Sequence, residues 1–112
     1  MKIYHNPRCS KSRETLKLLQ ENNADFEVVE YLKTIPSRLE LKDLLMKLNL
    51  KAEDIIRKTE SVFKEKFKGK AFLEEEWIQI MIENPKLIER PIVVRGNKAV
   101  LGRPPENVKQ LF

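Results

Sequence analysis

The sequence holds a single cysteine, Cys9, and a single histidine, His5. One cysteine cannot close a disulfide within the chain, so no covalent staple is expected. One cysteine and one histidine also fall short of the four ligands of a structural zinc site, and no metal centre is expected. Glycine is scarce, at three residues, and no glycine-rich linker, repeat or low-complexity stretch interrupts the chain. Long apolar runs are missing too. None approaches the roughly 20 residues that cross a bilayer, so no membrane contact is expected. The opening MKIYHNPRCS offers no apolar signal core, because Pro7, Arg8 and Lys11 break it. Retention in the cytoplasm is the resulting expectation.

What remains is consistent with one small domain. At 112 residues there is room for one core, and 41% hydrophobic residues can build it. A charged fraction of 35% favours solubility without implying disorder, because the apolar residues are patterned. The net charge of +5 invites an anionic partner. The densest basic stretch, Lys64 to Lys70, reads as a solvated helix face, and direct nucleic-acid binding is not expected.

Hydrophobic periodicity gives the elements. Met1 to Tyr4 reads as a strand, about Lys11 to Asn22 as a helix, and Phe26 to Tyr31 as a second strand, the size of a βαβ unit. Ser37 and Glu40 have capping-box spacing, which would satisfy two backbone N–H groups at the start of a helix. Leu41, Leu44, Leu45 and Leu48 follow as a buried stripe. Asn49 to Leu73 reads as broken helix up to Gly69, with Ile55, Ile56, Val62, Phe63 and Phe67 in the core. Glu74 to Glu83 reads as a further helix stopped by Pro85. Two short strands, Ile92 to Arg95 and Lys98 to Leu101, flank the turn signal Gly96-Asn97. Pro104 is placed at the first position of a final helix. The expected fold class is therefore α/β, ordered β-α-β, a helical insert at about 37–88, then β-β-α, within a single domain over 1–112.

Cys9 lies where the first strand hands over to the first helix. Unpaired backbone N–H groups of residues 10 to 13 would converge there, and a helix N-terminus favours a thiolate and binds oxyanions. Arg8, Lys11 and Arg13 add positive potential, and Ser12 can donate to the sulfur. A buried, inert cysteine is the alternative, but polar and basic flanks favour reactivity. His5 can serve as a proton acceptor or as a structural hydrogen bonder. Asn6 suits side-chain bonding to the loop backbone. Arg90-Pro91 is a candidate cis peptide at the start of a strand. The hairpin brings Arg90 and Arg103 to one end, where they would either bind an oxyanion through their planar forks or simply be solvated.

The run His5-Asn6-Pro7-Arg8-Cys9-Ser10-Lys11-Ser12-Arg13 resembles the active-site signature of the glutaredoxin-coupled, single-cysteine arsenate reductase family. Tyr31-Leu32, Pro36-Ser37, Ile56-Arg57-Lys58, Glu89-Arg90-Pro91-Ile92-Val93-Val94 and Gly102-Arg103-Pro104 extend the resemblance along nearly the whole chain. It implies a thioredoxin-like fold with a small mixed sheet and with Pro91 as the cis-proline facing the cysteine. It implies Cys9 as the catalytic thiol, Arg57, Arg90 and Arg103 as oxyanion ligands, and His5 and Ser12 as residues that activate the cysteine. The implied reaction reduces arsenate to arsenite, with glutathione as co-substrate, glutaredoxin as partner and no tightly bound cofactor. The wider superfamily also contains Spx-like regulators, which bind RNA polymerase and often switch through a Cys-x-x-Cys disulfide. Ser12 stands at the fourth position here, so that switch is excluded, while a polymerase contact without it remains an alternative. A glutathione-dependent thiol reductase with another substrate is a further one.

Overall fold

The structure is a computed structural model that describes all residues from Met1 to Phe112. Its chain order is strand β1 (Lys2–His5), helix α1 (Ser10–Glu21), strand β2 (Glu27–Glu30), helix α2 (Arg38–Leu48), helix α3 (Ser61–Lys66), helix α4 (Glu74–Glu83), strand β3 (Ile92–Arg95) and strand β4 (Lys98–Leu101). Short 3₁₀ segments lie at Ala52–Ile55, Pro85–Leu87 and Pro105–Leu111. The chain divides into two compact units. The first joins Met1–Thr34 to Arg90–Phe112, and the second is the intervening Ile35–Glu89.

The first unit is built on a four-stranded mixed sheet in the order β2-β1-β3-β4. β1 runs parallel to β2, which a crossover through α1 permits, and antiparallel to β3. β3 and β4 form the hairpin, with Arg95 opposite Lys98 and Ile92 opposite Leu101. Gly96 sits at φ +60, the left-handed value a two-residue hairpin turn needs at its first central position. Alternation along the strands directs Ile3, Val93 and Val100 to one face. There they meet Leu19 of α1 and Val108 and Leu111 of the last 3₁₀ segment, forming the core of this unit. α1 ends at Asn22, whose side-chain amide donates to the Leu18 carbonyl at 2.8 Å.

The second unit is helical. Ser37 caps α2 by accepting from the Glu40 amide at 3.1 Å, and Asn49 closes the helix in the left-handed region at φ +58. Leu41, Leu44 and Leu45 are buried, whereas Leu48 is only half-buried. An aromatic group organises the middle of the unit. Phe72 meets Trp77 edge-on at 4.8 Å between ring centroids, and Phe63 lies 6.3 Å from Trp77.

Two sequence expectations need correction. Between Asn49 and Leu73 only the 3₁₀ turn and the six-residue α3 are helical. Asp54 accepts the Lys51 amide and Glu74 accepts the Ala52 amide, so side chains satisfy backbone groups that a longer helix would have paired. The final helix is a 3₁₀ segment that starts at Pro105, with Pro104 as its N-cap and a second cis peptide at Arg103-Pro104. No helix is long and apolar enough to cross a membrane.

Candidate active site around Cys9

The loop from β1 to α1 is tied by its own side chains. The Cys9 amide donates to the Asn6 carbonyl at 3.0 Å, and the Arg8 amide donates to Asn6 Oδ1 at 3.0 Å. Ser12 is fully buried. Its hydroxyl oxygen accepts the Asn6 amide at 3.0 Å and lies 2.6 Å from Nδ1 of buried His5. Burial lowers the His5 pKa; Glu30 works against that shift, and Arg13 adds to it. The ring is thus neutral near pH 7, and we assign Nδ1 as the acceptor of the Ser12 hydroxyl proton. Arg13 is drawn to the loop as well, donating from Nη1 to the Pro7 carbonyl at 2.9 Å, while Lys11 pairs with Glu14 at 3.6 Å.

Cys9 itself is the N-cap of α1, with an extended backbone and partial exposure. Burial by itself would raise its pKa. Hydrogen bonds from the Ser12 amide, the Arg90 side chain and the Lys11 amide, together with the positive charge of Arg90, outweigh that burial and leave the thiol below its ordinary pKa. The donation expected from the Ser12 side chain comes from its backbone, because the hydroxyl is turned to His5 and Asn6. The Arg13 amide takes the Cys9 carbonyl at 3.0 Å, the first turn of the helix. Alkylation of Cys9 by iodoacetamide, followed against pH, should have its midpoint below that of a free thiol. A midpoint in the ordinary thiol range would contradict this electrostatic balance.

Two arginines of the first unit, Arg90 and Arg103, reach this sulfur. Arg90, 9% exposed, directs its side chain to it. Arg103 places Nη1 3.7 Å from Cys9 Sγ and 3.3 Å from the Arg90 carbonyl. The Arg90-Pro91 peptide is cis, and the Pro91 carbonyl accepts the Gly102 amide at 2.9 Å. Cys9, Arg90, Arg103, Pro91, His5, Asn6 and Ser12 therefore form one cluster, in which two guanidinium groups face a low-pKa thiol at a helix N-terminus. Arg57 belongs to the second unit. There Nη1 binds Glu89 at 2.7 Å and Nε binds Glu60 at 3.3 Å. Burial disfavours its charge, but the two carboxylates more than offset that and raise its pKa.

Residues 4–111 match the model of the ArsC family. The chain belongs to the ArsC family. An arsenate reductase of Neisseria meningitidis serogroup A is 43% identical over 100% of this chain and 97% of its own length. A protein of Escherichia coli K12, YfgD, described as uncharacterized, is 51% identical over 99% of this chain and 95% of its own. Among solved structures, the arsenate reductase from Vibrio cholerae superposes with a TM-score of 0.93 at 46% identity, covering 100% of this chain and 98% of that one. The thioredoxin-like fold expected from the sequence is thereby established for this ArsC chain.

Two residues next to the cluster are given no role by the sequence, although Gly102 belongs to the Gly102-Arg103-Pro104 run of the resemblance. Thr15 is fully buried one turn into α1, and Gly102 is buried at the end of β4. A Cβ at Gly102 would lie 2.6 Å from Thr15 Oγ1 and 2.7 Å from Pro91 Cγ, well inside contact distance. Gly102→Ala should therefore destabilise the protein by about 1–3 kcal/mol, the usual cost of overpacking. Thermal unfolding would read this as a clear drop in Tm, and an unchanged Tm would refute the tight approach.

Proposed function

We propose that this protein is a thiol-dependent arsenate reductase in which Cys9 is the nucleophile and the only redox-active protein thiol. One observation supports this reading most: a cysteine of lowered pKa at the N-terminus of α1 with the Arg90 and Arg103 side chains at its sulfur. Preorganised donors of this kind stabilise an oxyanion without reorganising when charge develops. The Cys9 thiolate attacks arsenic(V), an oxygen leaves as water after protonation, and a thiol–arsenate adduct forms. The thiolate of glutathione then attacks the Cys9 sulfur. The sulfur–arsenic electron pair passes to arsenic, which departs as arsenite(III), and a Cys9–glutathione disulfide remains. Glutaredoxin takes over the glutathione and returns Cys9 to the thiolate. The two electrons come from external thiols, because the chain offers no second cysteine.

The family resemblance adds Arg57 as a third oxyanion ligand. In that role its guanidinium would exchange Glu60 and Glu89 for the anion, so its contribution is smaller than that of a fork held ready. The test is arsenite production from arsenate with glutathione and glutaredoxin. Turnover that depends on both reductants is the expected result, and no arsenite above the protein-free mixture would overturn the reading.

A further inference from the structure

The turn that bears Arg103 is held by side chains at three successive carbonyls. Asn107 Nδ2 donates to the Leu101 carbonyl and to the Arg103 carbonyl, both at 3.2 Å, using its two hydrogens on either side of Gly102. The Gly102 carbonyl between them shares the single hydroxyl proton of Thr15 with the Lys11 carbonyl of α1, at 3.3 Å and 2.9 Å from Oγ1. The Gly102 amide is fixed on the Pro91 carbonyl at 2.9 Å. The Leu101, Gly102 and Arg103 carbonyls and the Gly102 amide all lie in the segment from which the Arg103 side chain departs.

The connections run in two directions. Thr15 belongs to the helix whose N-cap is Cys9, so its bond to Gly102 joins the turn to the element that positions the sulfur. Asn107 belongs to the 3₁₀ segment that packs through Val108 and Leu111 into the core, so its bonds join the same turn to rigid structure on the other side. The gap at Gly102 leaves no space for a Cβ, and the contact with Thr15 depends on that. A long arginine side chain acts as an oxyanion ligand only when its backbone origin is fixed, because small displacements at the origin become large ones at the guanidinium.

We propose that Asn107 and Thr15 are positioning residues that hold the Leu101–Pro104 turn and thereby aim the Arg103 guanidinium at the Cys9 sulfur. Neither touches the sulfur, and each acts through Arg103. The inference rests on the oxyanion reading above and deepens it by naming what orients one of its arginines.

The variants are Asn107→Leu and Thr15→Val, which keep side-chain size and remove the donors, with Thr15→Ser as the conservative form that keeps the hydroxyl. Each is made alone and in an Arg103→Ala background. Two quantities are read: protection of Cys9 from iodoacetamide by arsenate, and the pH midpoint of Cys9 alkylation without ligand. Asn107→Leu and Thr15→Val should each weaken arsenate protection about tenfold and raise the alkylation midpoint, while Thr15→Ser stays near the parent protein. In the Arg103→Ala background neither substitution should change either reading further, because the residue they act through is gone. Equal losses with and without Arg103 would assign both residues a general structural role and overturn the proposal. So would unchanged readings in the single variants. If Thr15→Val does not fold, Asn107→Leu decides alone. If arsenate protects no form, including the parent, the oxyanion reading fails, and the ligand-free midpoint still decides the positioning role.

Discussion

Cys9→Ser should abolish arsenite production down to the protein-free background while leaving the fold intact. Cys9 is the N-cap of α1, a position that serine favours, so serine fits without disturbing the helix start. The chemistry has no such tolerance. An alcohol stays protonated at neutral pH, and the amides and guanidinium that lower a thiol pKa cannot bring a hydroxyl into that range. Serine also cannot enter a disulfide, so the electron pair needed by arsenic has no route through the protein. Arsenite formation is read by product analysis, with thermal unfolding as the control for folding. Equal turnover in the serine form would remove Cys9 from the mechanism.

Arg90→Ala should produce the next largest loss. The side chain is nearly buried, donates to the sulfur and adds positive charge beside it. A hydrogen bond to a charged group is worth about 1.5–3 kcal/mol, so arsenate should bind about ten- to a hundredfold more weakly. The Cys9 pKa should rise at the same time, because a group that favours the thiolate is lost. Alkylation would then need higher pH to reach its full rate, and the rate near neutral pH would fall. Lysine should not restore the site fully, since a point charge cannot replace a planar fork. The measurements are arsenate KM and the alkylation–pH profile. Unchanged values for both would exclude Arg90 from anion and thiolate stabilisation.

Much of this architecture is legible in the chain because its signals are local. The alternation around Ile3, the Gly96-Asn97 turn, the Ser37 cap and the Leu41–Leu45 stripe each lie within a few residues of what they determine. The stretch from Asn49 to Leu73 misleads because its apolar spacing resembles a helix, while side-chain acceptors such as Asp54 and Glu74 favour shorter pieces. The strand order β2-β1-β3-β4 is set by pairing between distant segments, which periodicity does not encode. The loop around Cys9 announces itself as a dense polar motif. Thr15 and Asn107 do not. A threonine inside a helix and an asparagine near the chain end are ordinary in isolation, and their meaning arises only when the turn after β4 meets both.

The sheet order also has a consequence for how the protein comes into being. β1 and α1 lie near one end of the chain, whereas β3 and the arginines that flank it come from Arg90 onward. Pairing Ile3 with Val93 closes a very long loop, and closures of that kind are slow steps compared with forming a local helix or hairpin. Until it happens, Cys9 has its helix amides at most and lacks both guanidinium groups. The guanidinium groups at Cys9 are delivered by the same long-range closure that completes the sheet.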